Sequence, residues 1–394
     1  MGGERKNISR WMTIGRYPEL SIRQARQKYD EFSEQVYDYG RDLVAEIQAE
    51  MKKQKKSYTV EKFVEIYMEY AKLKGKSSLH EEERVFRLDV LPIMGKKDLR
   101  DVTPDDIDEM QTRILKRAKN IPCATRNGRV AVKNSLAYTR LFFNYAKKKR
   151  FIDANPVMEV DSMGASVART RVLSFEEIWI FWNRIEMMNI SSVPAKALKF
   201  LLATMQRSNE VRNIRYESVN LADAMWQMEQ HETKNRKMHR VPINRYAIDL
   251  INEVEPLTGA SKYIFGGTKI SEPPKMLNPK LSPMCKTAMC QAIRRNRKNL
   301  GIPDFRPHDL RRTGATWITA VGLPKLYARL ILNHSDGERD VTGQVYVQYS
   351  YDFEKQRAAK VWEFILDQIV TCNSPKDVPT LEELRTLVGQ SSLL

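Results

Sequence analysis

Covalent staples are scarce in this chain. Its four cysteines, Cys123, Cys285, Cys290 and Cys372, are scattered through 394 residues with no C-x-x-C pair. That supports neither a disulfide framework nor a zinc site, and ordinary thiols in a reducing compartment are expected. No apolar run is long enough to span a bilayer. The opening Met1-Gly2-Gly3-Glu4-Arg5-Lys6 lacks the apolar core of a secretory signal, and Lys6 stands where a myristoylation site needs a small hydroxyl residue. The absence of internal repeats and low-complexity tracts sets aside a repeat architecture. Acidic residues are in deficit, 49 Asp and Glu against 66 Lys and Arg, a net charge of +17 with a pI near 9.6. For a chain of globular hydropathy (mean hydropathy −0.52) that excess points to a polyanionic partner, nucleic acid before a membrane surface.

The length allows two or three domains, each with its own core, and the patterning divides the chain. In residues 1–57, Trp11–Ile14 has strand character, Gly15-Arg16-Tyr17-Pro18 is turn chemistry, and Ser21 caps a helix from Ile22 to about Tyr39-Gly40. Lys52, Lys53, Lys55 and Lys56 end it as a linker. Residues 58–157 read as four helices. Thr59 caps the first, with Phe63, Tyr67, Tyr70 and Ala71 on one side, and Ser77 or Ser78 opens the second, with Val85, Leu88 and Leu91 inward. Thr103-Pro104-Asp105-Asp106 starts the third with a hydroxyl cap, Pro at the first helical position and acids in the first turn. The fourth, from about Ala124 to Lys149, turns Val132, Leu136, Leu141, Phe142 and Tyr145 inward and carries Arg126, Arg129, Lys133, Arg140, Lys147, Lys148 and Lys149 outward, a face suited to duplex phosphates. Residues 158–172 read as an exposed linker. The largest unit, 173–372, is mostly helical: a capping box at Ser174–Glu177, an apolar helix from Pro194 to Ala203, and short strands at Met225–Met228 and His239–Ile243 around a basic loop. A helix from Leu323-Pro324 to near Asn333 and a last one capped by Asp352 complete it. A tail, 373–394, holds one short helix (Leu381–Leu387) suited to docking on a neighbouring subunit. The fold class is mainly α with a small β-sheet.

The candidate chemistry gathers around Arg306-Pro307-His308-Asp309-Leu310-Arg311-Arg312-Thr313-Gly314, the mouth of a helix whose buried stripe is Leu310, Trp317, Ile318 and Val321. His308 and Arg311, three apart, are neighbours at the positive end of the helix dipole, where an anion, here a phosphate, is favoured. Three further stretches add to it. Arg207 sits at a helix–helix junction with Glu210 in the next turn, Lys234 lies in the hairpin loop, and His334 ends a helix before Tyr346, Tyr349 and Tyr351. Each alone has a plain structural explanation; their order and combination do not.

The order Arg, Lys, His-x-x-Arg, His, Tyr resembles the catalytic set of the tyrosine recombinases, the phage integrase family. Thr204-Met205-Gln206-Arg207 resembles the first-arginine box, with Met205 where glycine is usual. Lys234 to Pro242 resembles the hairpin-lysine pattern, His308 and Arg311 the second box, and Leu332-Asn333-His334 the Leu-Gly-His box with Asn333 for glycine. Val345–Asp352 resembles the nucleophile region of island integrases, with Tyr346 at the catalytic place. Tyr346 follows His334 at twelve residues, longer than is usual, which leaves Tyr349 as an alternative nucleophile; Tyr351 abuts the capping residue and is disfavoured. Ile14–Arg26 resembles the end of an arm-type DNA-binding domain, and the strands expected before Trp11 are absent, so a partial arm-type αβ domain is expected. The resemblance implies a multidomain architecture: this arm domain, a four-helix core-binding domain and a mostly helical catalytic domain.

What the resemblance implies chemically is strand cleavage through a 3′-phosphotyrosine, with no metal or cofactor. A phenolate leaves far more readily than an alkoxide, so the ester can be reversed by a 5′-hydroxyl. Arg207 and Arg311 would clamp the charged transition state, Lys234 would protonate the departing 5′-oxygen, and His308 and His334 would supply hydrogen bonds or proton transfer. The implied partners are double-stranded DNA attachment sites and three further copies in a homo-tetramer, with an excision factor and a DNA-bending host protein as candidate accessories. The expected location is the bacterial cytoplasm, on the nucleoid. A catalytically inactive DNA-binding protein on the same fold and a type IB topoisomerase are the alternatives.

Overall fold

The computed structural model describes residues 14, 20–37, 58–76, 78–120, 128–164, 169–233, 235–259, 261–266, 282–334 and 349–391. Of the strand expected at Trp11–Ile14, residues 11–13 lie outside them, and Ile14 is in no regular element. Helix α1 (Ile22–Tyr37) begins where Ser21 and Gln24 exchange hydrogen bonds. The chain divides into two compact units between 168 and 169.

In the first unit, α2 (Val60–Leu73) starts at Thr59, whose hydroxyl accepts from the Lys62 N–H. α3 (Leu79–Val85) runs through a π-helical turn (Phe86–Val90) into α4 (Leu91–Met94). That turn corrects the expected stripe. Its wider winding turns Phe86, Asp89 and Val90 inward and leaves Leu88 exposed. α5 (Pro104–Lys119) opens with the Thr103–Asp106 capping box. In α6 (Arg129–Lys148) the inward row is Val132, Leu136, Thr139, Phe143 and Ala146 beside Phe142. Leu141 is therefore exposed, because it falls a residue out of that helical phase. Phe63, Tyr67, Phe142 and Phe151 meet edge to face at 5.0–5.5 Å between centroids, a dense aromatic centre. Arg129, Lys133, Arg140, Lys147, Lys148 and Lys149 lie exposed, as expected. The first part of the expected linker is tied down, since Gln111 holds both Asp161 O and Met163 N–H.

In the second unit, α7 (Phe175–Arg184) starts with the Ser174–Glu177 capping box. α8 (Ser192–Thr204) is buried over nearly its whole length and forms the centre of the core. The short α9 (Ser208–Asn213) follows. A three-stranded antiparallel sheet, β1 (Val219–Asn220), β2 (Met225–Met228) and β3 (His239–Pro242), pairs Val219 with Trp226 and Trp226 with Val241. β1 is too short to leave a period in the sequence. Helices α10 (Arg245–Thr258), α11 (Ala288–Leu300) and α12 (Pro307–Ala320) pack on α8. α13 (Lys325–Ile331) and α14 (Asp352–Val370) follow and pack on each other.

Two expectations change here. Asp352 is the first residue of α14 and not its cap. Tyr351 holds the capping position at φ 54° without a side-chain cap bond, while Asp352 pairs with Arg240 and Lys355. The tail helix α15 (Leu381–Gln390) docks on its own chain, with Leu384 and Val388 fully buried in the core.

Candidate active site

The site is assembled at the C-terminal end of α13. A helix leaves its last carbonyls without intrahelical partners, and here each of three successive carbonyls is capped by a side chain from elsewhere. Ile331 O accepts from Gln206 Nε2 (2.9 Å) and faces His239 Nε2 (3.2 Å). Leu332 O accepts from Arg311 Nη2. Asn333 O accepts from Arg207 Nη2 (3.4 Å) and Asn235 Nδ2 (3.3 Å). His334 comes next in the chain. Residues far apart in sequence thus converge on one helix end.

Each is held from its own side as well. Pro307 begins α12, and Asp309, 1 % exposed, accepts from the Arg306 N–H, Arg169 and Arg312, which fixes the helix mouth. Leu173 N–H donates to Thr313 and Trp317 Nε1 to Leu173 O, clamping α12 to the start of α7. Arg311, read from the sequence as a neighbour of His308 at the positive end of the helix dipole, is 2 % exposed. It lies inside because its second partner, Met205 O at 2.8 Å, comes from the α8–α9 junction. Burial, and then repulsion by Arg207, pulls its pKa down to about 10, against the pull of Glu210, so it stays cationic at neutral pH. Arg207 is gripped by Glu210 through its backbone N–H (2.8 Å) and Nη1 (2.7 Å), and the same carboxylate lies 4.0 Å from Arg311. One buried acid therefore orients two cations.

His308 and His334 face this pair and both titrate below the usual imidazole range. Desolvation is the larger cause and repulsion by Arg311 the next, with Arg207 acting on both. They are mainly neutral at pH 7 and present lone pairs or N–H groups to the pocket. His239, 3 % exposed, is driven by burial down to about 3; it is a neutral strut. Arg207, Arg311, His308 and His334 are thus brought together. Lys234 and Tyr346 lie outside the described residues; Asn235, next to Lys234, is at the pocket wall. Tyr349 is 55 % exposed and rests edge-on against Tyr351 at 4.8 Å. Desolvation first, then the Glu354 carboxylate, pushes its hydroxyl up, the wrong direction for an attacking phenolate.

Both departures from the glycine pattern carry a positive φ, Met205 at 56° and Asn333 at 48°. The backbone keeps the left-handed form at both, the conformation glycine takes without strain. Met205 is fully buried and lies where a side chain on Gly314 would go: a Cβ there would stand 2.5 Å from Met205 Cγ. Gln206 and Asn235 were not distinguishable as pocket residues in sequence. His239 left a signal as the histidine of the Lys234–Pro242 pattern, and Asn333 as a departure from the usual box.

The arrangement is a preorganised cluster of cationic forks beside two neutral imidazoles, suited to a phosphate with charge building on its oxygens. Residues 172–352 match the phage integrase family, and residues 59–115 match the phage integrase N-terminal SAM-like domain. The chain belongs to the phage integrase family. Its class is the tyrosine recombinases, enzymes of site-specific DNA recombination. The integrase of Shigella phage Sf6 is 24 % identical over 372 residues, 91 % of this chain and 87 % of that one. The prophage integrase IntZ of Escherichia coli (strain K12) is 25 % identical over 187 residues, 47 % of this chain, which spans only 44 % of IntZ. Among solved structures, a lambda integrase tetramer bound to a Holliday junction matches with a TM-score of 0.55 at 15 % identity, over 81 % of this chain and 89 % of that one. A lambda integrase (75–356) dimer bound to a COC′ core site matches at 0.54 and 16 %, over 71 % and 96 %. These likenesses concern the fold: mostly helical, with the small antiparallel sheet. Among the described residues of this integrase-family chain, no helix is long and apolar enough to cross a membrane.

Proposed function

We propose that this protein integrates and excises a mobile element by cutting and rejoining DNA at attachment sites, with Tyr346 as the nucleophile. The Tyr346 oxygen bonds to the scissile phosphorus as its proton leaves to a base of the pocket, His308 or His334. The P–O5′ bond breaks, and Lys234 delivers a proton to the departing 5′-oxygen. The 3′-phosphotyrosine is then attacked by a 5′-hydroxyl of another strand, which regenerates the tyrosine. Arg207 and Arg311 carry the negative charge of the transition state, and losing either is expected to remove roughly 3 kcal/mol of stabilisation or more. The observation that carries this reading is the capping of adjacent carbonyls, Leu332 and Asn333, by the two arginines, which sets both forks beside His334 before any DNA arrives. The proposed assembly is four protomers on two duplexes, with an excision factor and a DNA-bending host protein as accessory partners and the nucleoid as the site of action.

The test uses a nicked suicide duplex carrying the junction between the element and its host DNA. Wild type is expected to form a covalent adduct and Tyr346→Phe to bind without forming one. An adduct that persists in Tyr346→Phe and vanishes in Tyr349→Phe moves the nucleophile to Tyr349. Binding without cleavage by wild type supports an inactive DNA-binding protein, and relaxation of supercoils lacking the site supports a topoisomerase.

A further inference from the structure

The hairpin turn between β2 and β3 is braced internally by Thr233, whose hydroxyl donates to Lys237 O (2.7 Å) and accepts from the Lys237 N–H (3.1 Å). On its pocket side, Asn235 and Asn333 pair amide to amide. Asn235 Nδ2 donates to Asn333 Oδ1 (2.7 Å) and Asn333 Nδ2 donates back to Asn235 Oδ1 (3.2 Å). A third bond runs from Asn235 Nδ2 to Asn333 O, the carbonyl that also receives Arg207. Both side chains are half-buried. Asn333 stands at φ 48°. Glycine would meet that conformation at no cost, so backbone shape does not explain an asparagine there; the amide pair is what the side chain adds.

We infer that Asn235 and Asn333 form a clasp that fixes the hairpin turn over the anion pocket, and that both are positioning residues for the protonation of the leaving 5′-oxygen. The inference rests on the reading of Lys234 as proton donor. A lysine stem carries large rotamer entropy and the proton must pass at hydrogen-bond range. Asn235, the residue next in sequence to that donor, is tied to the helix end that bears His334 and receives both arginines. Without the clasp the turn keeps its Thr233 brace but loses its registration on the pocket, which slows proton delivery while leaving phosphate clamping intact.

The experiment compares cleavage of two suicide duplexes with the junction sequence, one ordinary and one with sulfur in place of the bridging 5′-oxygen. A thiolate leaves without a proton, so the sulfur duplex no longer needs the donor. Asn235→Ala and Asn333→Gly are each expected to cut ordinary DNA about a hundredfold more slowly, the scale of a small misplacement of a catalytic group, and to cut the sulfur duplex at close to the wild-type rate. Lys234→Ala should behave the same way. If Lys234→Ala cuts ordinary DNA normally, the proton-donor reading fails and the clasp's role fails with it. If Lys234→Ala is slow and rescued by sulfur, but Asn333→Gly is either normal on ordinary DNA or equally slow on both duplexes, the clasp inference is wrong and the reading of Lys234 stands. Asn333→Gly suits the left-handed backbone and decides the matter even if Asn235→Ala does not fold.

Discussion

His239 shows how one residue can be structural inside a reactive pocket. Its ring is buried on β3, close to the Ile331 carbonyl and facing the charges of Lys355, Arg311 and Arg207, and its pKa falls to about 3. The unfolded chain binds a proton on this ring below about pH 6.5. The folded chain refuses it until about pH 3. Stability from this group is therefore complete above the unfolded value and is lost as pH falls through the window between the two. A His239→Asn variant should lose less stability than wild type between pH 7 and pH 5, by roughly 2 kcal/mol, read from urea unfolding at each pH. His308 and His334, also lowered, contribute in the same direction and remain in the variant. An unchanged pH slope would place the burial of His239 in doubt.

At the scale of elements, the contact of the α8–α9 junction with α12 replaces a glycine by a packed side chain. Met205→Gly would relieve a left-handed residue, worth about 1–2 kcal/mol. It would also empty a fully buried site, and large-to-small changes of that kind cost about 2–5 kcal/mol. The cavity outweighs the strain, so Met205→Gly is expected to destabilise by about 2 kcal/mol by chemical denaturation. Gly314→Ala should destabilise by roughly 1–3 kcal/mol, because its Cβ meets Met205 and Trp362. Combined, the two should cost less than their sum, since each relieves the crowding the other resists or creates. Strict additivity would mean that the two positions do not touch. The π-helical turn at Phe86–Val90 belongs to this scale too. It brings Asp89 inside, where Ser135 donates to it (2.7 Å) and Arg117 forms an ion pair with it (2.6 Å), which a regular helix period does not anticipate.

For the molecule as a whole, a net charge of +17 far exceeds what the pocket uses, and the exposed face of α6 shows where part of it stands. Phosphate contacts release counterions, so affinity for the junction duplex should fall about a thousandfold or more between about 50 and about 200 mM salt, measured by titration. A flat salt response would contradict a backbone-dominated interface. The tail belongs to the same accounting: α15 buries Leu384 and Val388 within its own unit and donates from Arg385 to Ala320 O (2.9 Å).

The caps at Thr59, Thr103 and Ser174, the helices they open, the basic face of α6 and the order of the candidate groups were all legible in the amino-acid sequence. Each depends on residues within a few positions of one another or on a repeating period, and local physics suffices for those. The burial of Arg311, the shared grip of Glu210, the three capped carbonyls at the end of α13 and the Asn235–Asn333 pair were not. Arg311 reaches a carbonyl 106 residues away and another 21 residues away, and Asn235 reaches 98 residues to Asn333. Backbone acceptors carry no side-chain signature, so only the folded chain decides which donor finds them.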